Sequence, residues 1–228
     1  MLKQFIRATL ARSGYKVRHE SVLSPLDRLS VLRIPSGLAE GIWTIHGLVR
    51  SMKPEVCVEI GSALGHSACH IAAALEQNDR GRLFAIDPHS VTDWNDRGAV
   101  DSLPVMQRNL VTAGVEHRVE IIRSTSTAAA GGWSRPIDLL LIDGDHSYEG
   151  VKNDWQLFHP FVRSGGVVLF HDTAWQLENP GAMRPDMGVP RFVDELRLAG
   201  YPVITLLENH GVSIVQPVSG GMPLCPAL

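Results

Sequence analysis

The sequence predicts an α/β protein built on a doubly wound, mostly parallel, seven-stranded sheet with an antiparallel hairpin at its C-terminal end. From residue 36 onward, short apolar runs alternate with stretches whose apolar residues recur at helical spacing. Helical stretches connect five of these runs, as the crossovers between parallel strands require. Two further runs surround a short turn and predict the hairpin.

The first two strands are predicted from β-branched and apolar runs. Residues 36–52 place apolar side chains every three or four positions, which predicts a helix ahead of the sheet. The run 55–60 predicts the first strand, which ends at Gly61. A helical stripe over 66–77 follows it, and the run 82–87 predicts the second strand.

The central strands come next in the chain. A helix is predicted over 103–114 and ends at Gly114, because glycine readily adopts the left-handed conformation that closes a helix. The runs 118–124 and 137–143 predict the third and fourth strands.

The C-terminal elements complete the sheet. A helix is predicted over 148–162 and the fifth strand over 165–172. The last helix has Pro190 near its first turn and Gly200 past its end, which are typical start and stop signals. The turn at 209–211 then joins two antiparallel strands.

Length and composition predict one large domain with appendages. We divide the 228 residues into a basic helical extension or lid (1–35), the α/β domain (36–218) and a tail (219–228). With 44% hydrophobic and 20% charged residues, the chain has enough apolar residues for a sizeable core. Its formal charge of -3 gives no electrostatic footprint for nucleic acid.

The N-terminal extension is amphipathic. It lacks the long apolar region of a signal peptide, and no run in the chain reaches the ~18 residues of a membrane span. We expect it to pack on the domain or on a partner subunit, with weak membrane-surface association or disorder as alternatives. Its apolar face consists of Leu2, Phe5, Ile6 and Leu10.

The three cysteines are odd in number and widely spaced, which argues against a disulfide framework or a zinc site. They are Cys57, Cys69 and Cys225. A reducing cytoplasmic location is therefore expected.

Polar residues end several strands, and in a doubly wound sheet ligands bind outside the carboxyl ends of the strands. The first strand ends with Glu59, Gly61 and Gly65. Glycines let the backbone turn tightly beside a ligand, and a buried carboxylate needs a partner. An amino-bearing or cationic ligand therefore fits better than phosphate, although a plain turn before a helix is the alternative.

The second and third strands end in groups suited to a nucleoside. Asp87 follows the glycine turn at nearly the offset at which an acid accepts hydrogen bonds from ribose hydroxyls. Its alternative role is a helix cap or an Asx-turn. Ser124, Thr125 and Ser126 are placed to line an adenine pocket, or form a solvated turn.

The fourth and fifth strands end in Asp143 and in the pair His171 and Asp172. If the strands are neighbours, these side chains meet at the sheet edge, where two acids and an imidazole suit Mg²⁺ or a similar ion. The alternative is that Asp172 caps the next segment and Asp143 begins a turn.

Residues after the fourth strand are candidates for catalysis. His146 has the residue type that removes a hydroxyl proton near neutral pH, with a surface histidine as the alternative. We interpret Asp145 as a support for the ligand residues or a helix cap, and Asp154 as part of a solvated helix face. The loop 175–188, rich in Pro, Gly and Met, is predicted to cover the substrate.

Three stretches together resemble the class I S-adenosylmethionine-dependent methyltransferases. They are VEIGSALGHSACHIA, FAIDPH and IDGDHSYEGVKNDWQLFHPFVRSGGVVLFHDT. The branch they most resemble comprises metal-dependent O-methyltransferases of macrolide and other glycoside sugars, grouped with cephalosporin hydroxylase-type proteins. The resemblance covers roughly residues 36–216 and implies a Rossmann-like methyltransferase fold.

The resemblance implies roles at matching positions. The implied cofactor-binding residues are Glu59, Gly61, Ser62, Gly65, Ser67, Asp87, Ser126 and Asp143. In the sugar-modifying branch, an acid like Asp143 binds the metal and a histidine three residues later, here His146, is the base. His171 stands where that branch has an acidic residue, and the implied metal ligands are Asp143, His171 and Asp172.

The implied activity is transfer of a methyl group from S-adenosylmethionine to a hydroxyl of a small molecule, a sugar or glycoside being favoured, with Mg²⁺ assistance. Sugar-modifying relatives also suggest a homo-oligomer. Two other readings remain open at this point. A nicotinamide-dependent oxidoreductase requires a Gly-x-Gly-x-x-Gly turn that the chain lacks, whereas a non-catalytic cofactor-binding or scaffold protein requires none of the strand-end groups.

Overall fold

A computed structural model describes residues 23–90, 101–179 and 184–217. Seven strands form one sheet in the order β3-β2-β1-β4-β5-β7-β6. The strands are β1 (Val56–Ile60), β2 (Arg82–Ile86), β3 (Val119–Ile122), β4 (Ile137–Ile142), β5 (Val162–His171), β6 (Val203–Leu206) and β7 (Val212–Val215). The first five are parallel, and β7 runs antiparallel to both β5 and β6. The predicted sheet and its hairpin are confirmed.

The helices cover both faces of the sheet. They are α1 (Pro25–Val31), α2 (Ile42–Met52), α3 (His66–Asn78), α4 (Leu103–Ala113), α5 (Ser126–Ala130), α6 (Tyr148–Phe158), α7 (Trp175–Glu178) and α8 (Val189–Leu198). Along β4, Leu139 and Leu141 pack with α1 to α4, whereas Leu140 and Ile142 pack with α6 and α8. This alternation buries every residue of β4 and divides the core into two layers.

The predicted helix over 148–162 is too long. The α-helix ends at Phe158, a 3-10 turn covers His159–Phe161, and Val162 already belongs to β5. Pro160 is the reason, because it has no N–H to donate to the carbonyl one helical turn earlier.

Three short helices had no separate prediction. The first, α1, follows the N-cap residue Ser24, whose side chain accepts a hydrogen bond from the Asp27 N–H while the Asp27 side chain accepts from the Ser24 N–H. The other two are α5 and α7, with five and four residues. Such short helices carry too few apolar positions for a periodic signal.

Some predictions concern residues outside the described ranges. They include the apolar face of the N-terminal extension, Cys225 and the tail from residue 219. Cys57 and Cys69 are buried free thiols, and burial raises the pKa of Cys69 to about 12. In the described part of the chain, no helix combines the length and apolarity that crossing a membrane requires.

Candidate active site

A cavity of about 970 Å³ opens at the carboxyl ends of the parallel strands. Each of the strand-end loops contributes to it, as the topology predicts. The lining includes Gly61, Ser62, His66, Ser67, Asp87, Ser126, Asp143, His146, Asp154, His171 and Asp172.

The turn after β1 requires glycine. Gly61 has φ 88° and Gly65 has φ 81°, both in the left-handed region. A Cβ at Gly61 would also collide with the carbonyl oxygen of Asp143. The turn therefore brings the backbone of β1 against the end of β4.

Beside this turn, two residues that line the cavity have buried polar atoms without a hydrogen-bond partner among the described residues. They are the Ser62 hydroxyl and Nδ1 of His66, both buried. Buried polar groups are normally hydrogen-bonded, so these two atoms suit a polar ligand at the start of α3.

Glu59 lies beneath the turn. Its side chain is fully buried, does not belong to the cavity lining, and neither carboxylate oxygen has a partner in the described part of the chain. Burial raises the pKa of Glu59 to about 8, although the nearby Ser67 hydroxyl opposes the shift. The acid is therefore neutral at pH 7 in this structure, and its predicted contact with the cofactor stays a prediction.

Asp87 joins two loops at the end of β2. Oδ2 accepts hydrogen bonds from the N–H groups of Ser62 (2.9 Å) and Ala63 (2.8 Å). Oδ1 accepts from the His89 N–H at 2.6 Å, which is the Asx-turn that the sequence left open. Because each carboxylate oxygen has two lone pairs, these bonds leave acceptor capacity toward the cavity, and the ribose role stays a prediction.

The prediction that Asp154 lies on a solvated helix face is wrong. The side chain is only 3% exposed and lines the cavity. Burial raises the pKa of Asp154 to about 6, with Ser126 opposing and Asp145 adding to the shift. A signal was present in the sequence, because position 154 falls on the same helical stripe as Val151, Trp155 and Phe158.

Of the two roles predicted for Asp145, the helix cap is wrong, and the support of the ligand residues stays a prediction. Ser147 caps α6, its hydroxyl accepting from the Gly150 N–H at 3.0 Å. The Asp145 carboxylate instead accepts a hydrogen bond from the backbone N–H of Ser147, the cap residue, at 2.9 Å.

The ends of β4 and β5 bring two acids and two histidines together. The ligand atoms of Asp143, His146 and Asp172 all lie within 4.8 Å of one another. His146 places Nδ1 3.1 Å from Oδ2 of Asp172 and Nε2 3.5 Å from Oδ1 of Asp143. His171 adds Nδ1 at 3.0 Å from the same Asp143 oxygen. We call these four residues the strand-end cluster.

His171 has acceptors at both ring nitrogens. Nδ1 faces Asp143, and Nε2 lies 3.1 Å from the backbone carbonyl oxygen of Asn209, to which it donates. Burial lowers the pKa of His171, but Asp143 outweighs it and raises the value to about 9. Burial alone would raise the pKa of Asp143, but the neighbouring His171 and His146 outweigh it and hold that pKa below its ordinary value.

The hairpin turn fixes the position of Asp172, whose φ of 59° is unusual for a residue other than glycine. After it, the Thr173 N–H donates to the Gly211 carbonyl (3.3 Å) and the Ala174 N–H to the His210 carbonyl (2.7 Å). These two bonds connect the end of β5 to the β6–β7 turn and hold the strained backbone.

The sequence of this chain is similar to those of known proteins. A family model described as a methyltransferase domain matches residues 58–173, which is 116 of the 228 residues. A flavonoid 3',5'-methyltransferase of Vitis vinifera is 28% identical over 153 residues, covering 64% of this chain and 57% of that protein. An uncharacterized protein, R132, of Acanthamoeba polyphaga mimivirus is 50% identical over 93 residues, covering 38% and 41%. The chain spans about half the length of these curated relatives.

Solved structures share the fold. The O-methyltransferase TomG of Streptomyces achromogenes, in complex with S-adenosylmethionine, has a TM-score of 0.62 at 18% identity, covering 92% of this chain and 95% of TomG. An O-methyltransferase of Bacillus cereus, in complex with S-adenosylhomocysteine, has a TM-score of 0.61 at 15% identity, covering 95% and 100%. The shared fold and a family match over more than half of the sequence show that this chain belongs to the methyltransferase-domain family.

Proposed function

We propose that this chain is an S-adenosylmethionine-dependent O-methyltransferase that acts on a hydroxyl of a small molecule, with a sugar or glycoside as the favoured acceptor. The observation that carries the proposal is the strand-end cluster, which places two carboxylates and two imidazoles beside one cavity. Such a concentration of titratable groups in a cleft is typical of a catalytic site.

The β1 turn is suited to the methionine part of the cofactor. The unpartnered Ser62 hydroxyl and His66 Nδ1 offer hydrogen bonds to its polar groups, and the glycine turn admits close approach. Asp87 is the proposed acceptor for the ribose hydroxyls, and Ser126 lies at the proposed adenine end. When bound, S-adenosylmethionine supplies a methyl group on a sulfonium, which is already activated for transfer. The protein's main tasks are therefore to align the acceptor oxygen and to remove its proton.

The strand-end cluster fits a divalent ion, with Mg²⁺ favoured. Asp143 and Asp172 supply hard oxygen ligands. Nε2–H of His171 donates to the Asn209 carbonyl, which fixes the ring so that Nδ1 points at both acids and can bind an ion once its proton leaves. A bound ion would lower the pKa of a coordinated hydroxyl and fix its position.

His146 is the proposed general base. Asp172 lies 3.1 Å from Nδ1 and orients the ring, as a carboxylate does for a catalytic histidine. Burial lowers the pKa of His146, but the carboxylates Asp143 and Asp172 outweigh it and raise the pKa when no ion is bound.

The acceptor side of the cavity includes an aromatic and an apolar side chain, Trp175 and Met187. Both suit the face of a sugar ring or of an aromatic ring. Flavonoids are the competing class of methyl acceptor, because one relative is a flavonoid 3',5'-methyltransferase. Adjacent hydroxyls on either kind of ring offer two oxygens to a metal.

Methyl transfer from labelled S-adenosylmethionine to a panel of glycosides and catechol-containing compounds tests the proposal. We expect transfer that chelation abolishes and Mg²⁺ restores, and an about 100-fold or larger loss in His146→Ala. His117→Ala is the matched control, because His117 is an exposed histidine paired with Glu76 and away from the cavity. Activity indifferent to both chelation and His146→Ala would contradict the catalytic proposal, and cofactor binding without transfer to any compound would favour a scaffold.

The proposal also includes self-association and a cytoplasmic location. Light scattering of the purified full chain checks the first, for which we expect a mass above that of a 24.9 kDa monomer. Fractionation of cells that express the chain checks the second.

A further inference from the structure

Helix α3 carries two histidines one helical turn apart, His66 and His70. Residues four positions apart lie on the same face of a helix, and these two rings have their centres 5.0 Å apart with their planes inclined by 53°. His66 lines the cavity at the first turn of the helix, whereas His70 is only 6% exposed. The pair therefore extends from the cavity surface into the protein.

Both rings have an unsatisfied nitrogen. Nδ1 of His66 and Nδ1 of His70 are buried and have no hydrogen-bond partner among the described residues. Burial lowers the pKa of both side chains, and that of His70 falls to about 4, so both rings are mainly neutral at pH 7. A neutral imidazole presents a lone pair on one nitrogen when its proton lies on the other. Two lone pairs on neighbouring rings are what a metal ion requires.

The spacing of the rings fits one tetrahedral ion. Metal–nitrogen bonds of about 2.0–2.1 Å at the tetrahedral angle place the centres of two bound imidazoles about 5 Å apart. The rings of His66 and His70 already have this separation. Histidines at positions i and i+4 of a helix are also a known zinc-binding arrangement. The carboxylates of Asp143 and Glu40 oppose the effect of burial on the pKa of His66, and the same negative charges favour a cation.

The pair supplies two ligands rather than a closed site. Among the residues that the structure describes, no third His, Cys, Asp or Glu completes a group of three ligands with the pair. An ion held here therefore keeps positions for water, and it can exchange. Imidazole suits zinc, copper and nickel, whereas Mg²⁺ prefers oxygen. The expected ion thus differs in kind from the one proposed for the strand-end cluster.

We propose that His66 and His70 bind a transition-metal ion such as Zn²⁺ and that this ion weakens cofactor binding. The second part rests on the proposed function, in which Nδ1 of His66 is offered to the methionine part of the cofactor. A nitrogen that coordinates an ion has no lone pair left for a hydrogen bond, so ion and cofactor compete for it. The coupling is reciprocal, and the cofactor weakens ion binding by the same factor.

Calorimetry with S-adenosylhomocysteine at pH 7 tests the proposal on the full chain without an affinity tag. The titration is run with a chelator, with Mg²⁺ and with Zn²⁺. In wild type, we expect Zn²⁺ to weaken binding about tenfold or more and Mg²⁺ not to weaken it. His70→Phe removes one ligand and keeps a ring beside Trp43, so the effect of Zn²⁺ should fall below about twofold.

A second variant and a control complete the design. Should His70→Phe fail to fold, His70→Gln keeps a polar side chain without the imidazole, and the effect of Zn²⁺ should again fall below about twofold. His159→Phe makes the matched change at a histidine that stacks on Trp155 and does not line the cavity. It should keep the wild-type response to Zn²⁺.

Each remaining outcome decides a defined part. An equal effect of Zn²⁺ in wild type and His70→Phe, or no effect in wild type, would overturn the competition. Wild type that binds no S-adenosylhomocysteine even with chelator would overturn the proposed function and leave the ion site to a direct titration with Zn²⁺. In that titration wild type should bind one more ion per chain than His70→Phe, and equal numbers would overturn the site.

Discussion

Two groups of histidines in this molecule have opposite surroundings. In the strand-end cluster, His146 and His171 face carboxylates. Between α2 and α3, a second group consists of His46, His66 and His70, which we call the helix-facing histidines. Their ring neighbours are one another and the indole of Trp43.

Among the helix-facing histidines, His70 is held neutral for identifiable reasons. Nδ1 of His46 donates to the His70 carbonyl at 2.9 Å, and Nδ1 of His70 has no partner among the described residues. Burial, followed by the nearby rings of His66 and His46, lowers the pKa of His70 to about 4. The pKa of His171, by contrast, is raised to about 9.

The difference teaches that a histidine's role depends on the groups within hydrogen-bond distance rather than on burial. His70 and His171 are both almost fully buried, at 6% and 4% exposure. Only His171 has a carboxylate 3.0 Å away, and that contact reverses the direction of its pKa shift. The proposed proton transfer accordingly belongs to the strand-end cluster, whereas His46 and His70 pack between the helices.

The largest effect is expected at Asp143. Asp143→Asn keeps the shape but removes the charge that His171 and His146 face, so methyl transfer should fall by about 1000-fold. Steady-state assays on an acceptor identified from the panel check this. Asp194→Asn, on the exposed face of α8, is the control and should keep wild-type activity. Wild-type activity in Asp143→Asn would show that the carboxylate beside His146 and His171 is not needed. The proposed difference between the two histidine groups would then be wrong.

The next effect concerns stability in acid. His70 has a folded pKa near 4, below its unfolded value of 6.5, so the unfolded state binds more protons as pH falls between these values. Wild type should lose about 3 kcal/mol of unfolding free energy from this group between pH 6.5 and 4, and none above pH 6.5.

Urea unfolding of wild type and His70→Phe across that pH range isolates this term as the difference between the two proteins. The phenyl ring cannot gain a proton and keeps the packing against Trp43. A constant difference from pH 7 to pH 4 would mean that His70 is not held neutral by its surroundings.

A moderate effect is expected in the pH dependence of activity. His146 must be neutral to accept a proton, and its pKa is raised above 6.5. The value of kcat/KM should therefore fall about tenfold per pH unit below the pKa that His146 has in the ion-bound protein. Rate profiles from pH 5 to 9 check this, and a flat profile over the whole range would contradict the base assignment.

The smallest effect is expected for a histidine in neither group. His117 is exposed and lies 2.8 Å from Glu76 on the surface. Exposed ion pairs contribute little, so His117→Ala should change the unfolding free energy by less than about 1 kcal/mol. Thermal unfolding at pH 7 checks this. A larger loss of unfolding free energy would show that an exposed histidine can also contribute strongly to stability in this protein.

Much of the fold and part of the site follow from sequence because they depend on local patterns. Alternating runs predict the order of elements, and the carboxyl-end rule predicts that Asp143, His171 and Asp172 meet. The strand neighbours β4 and β5 then bring these side chains together.

What the sequence could not predict depends on long-range packing. The contact of Asp154 with Ser126 comes from the packing of α6 against α5, and the position of Glu59 beneath the turn comes from the packing of α3 against β1. The second partner of His171 is the carbonyl of Asn209, 38 residues away on a turn that no local pattern orients. These contacts decide protonation, and so they decide the chemistry.

Ion binding to the S-adenosylhomocysteine-saturated protein is the most direct test of the central claim, which is that Asp143 and Asp172 share a cation beside the transferred methyl group. Electron paramagnetic resonance with Mn²⁺ as the probe should show one bound ion per chain, lost in both Asp143→Asn and Asp172→Asn and retained in His70→Phe. Absence of bound Mn²⁺ in wild type, or equal binding in all four proteins, would contradict it.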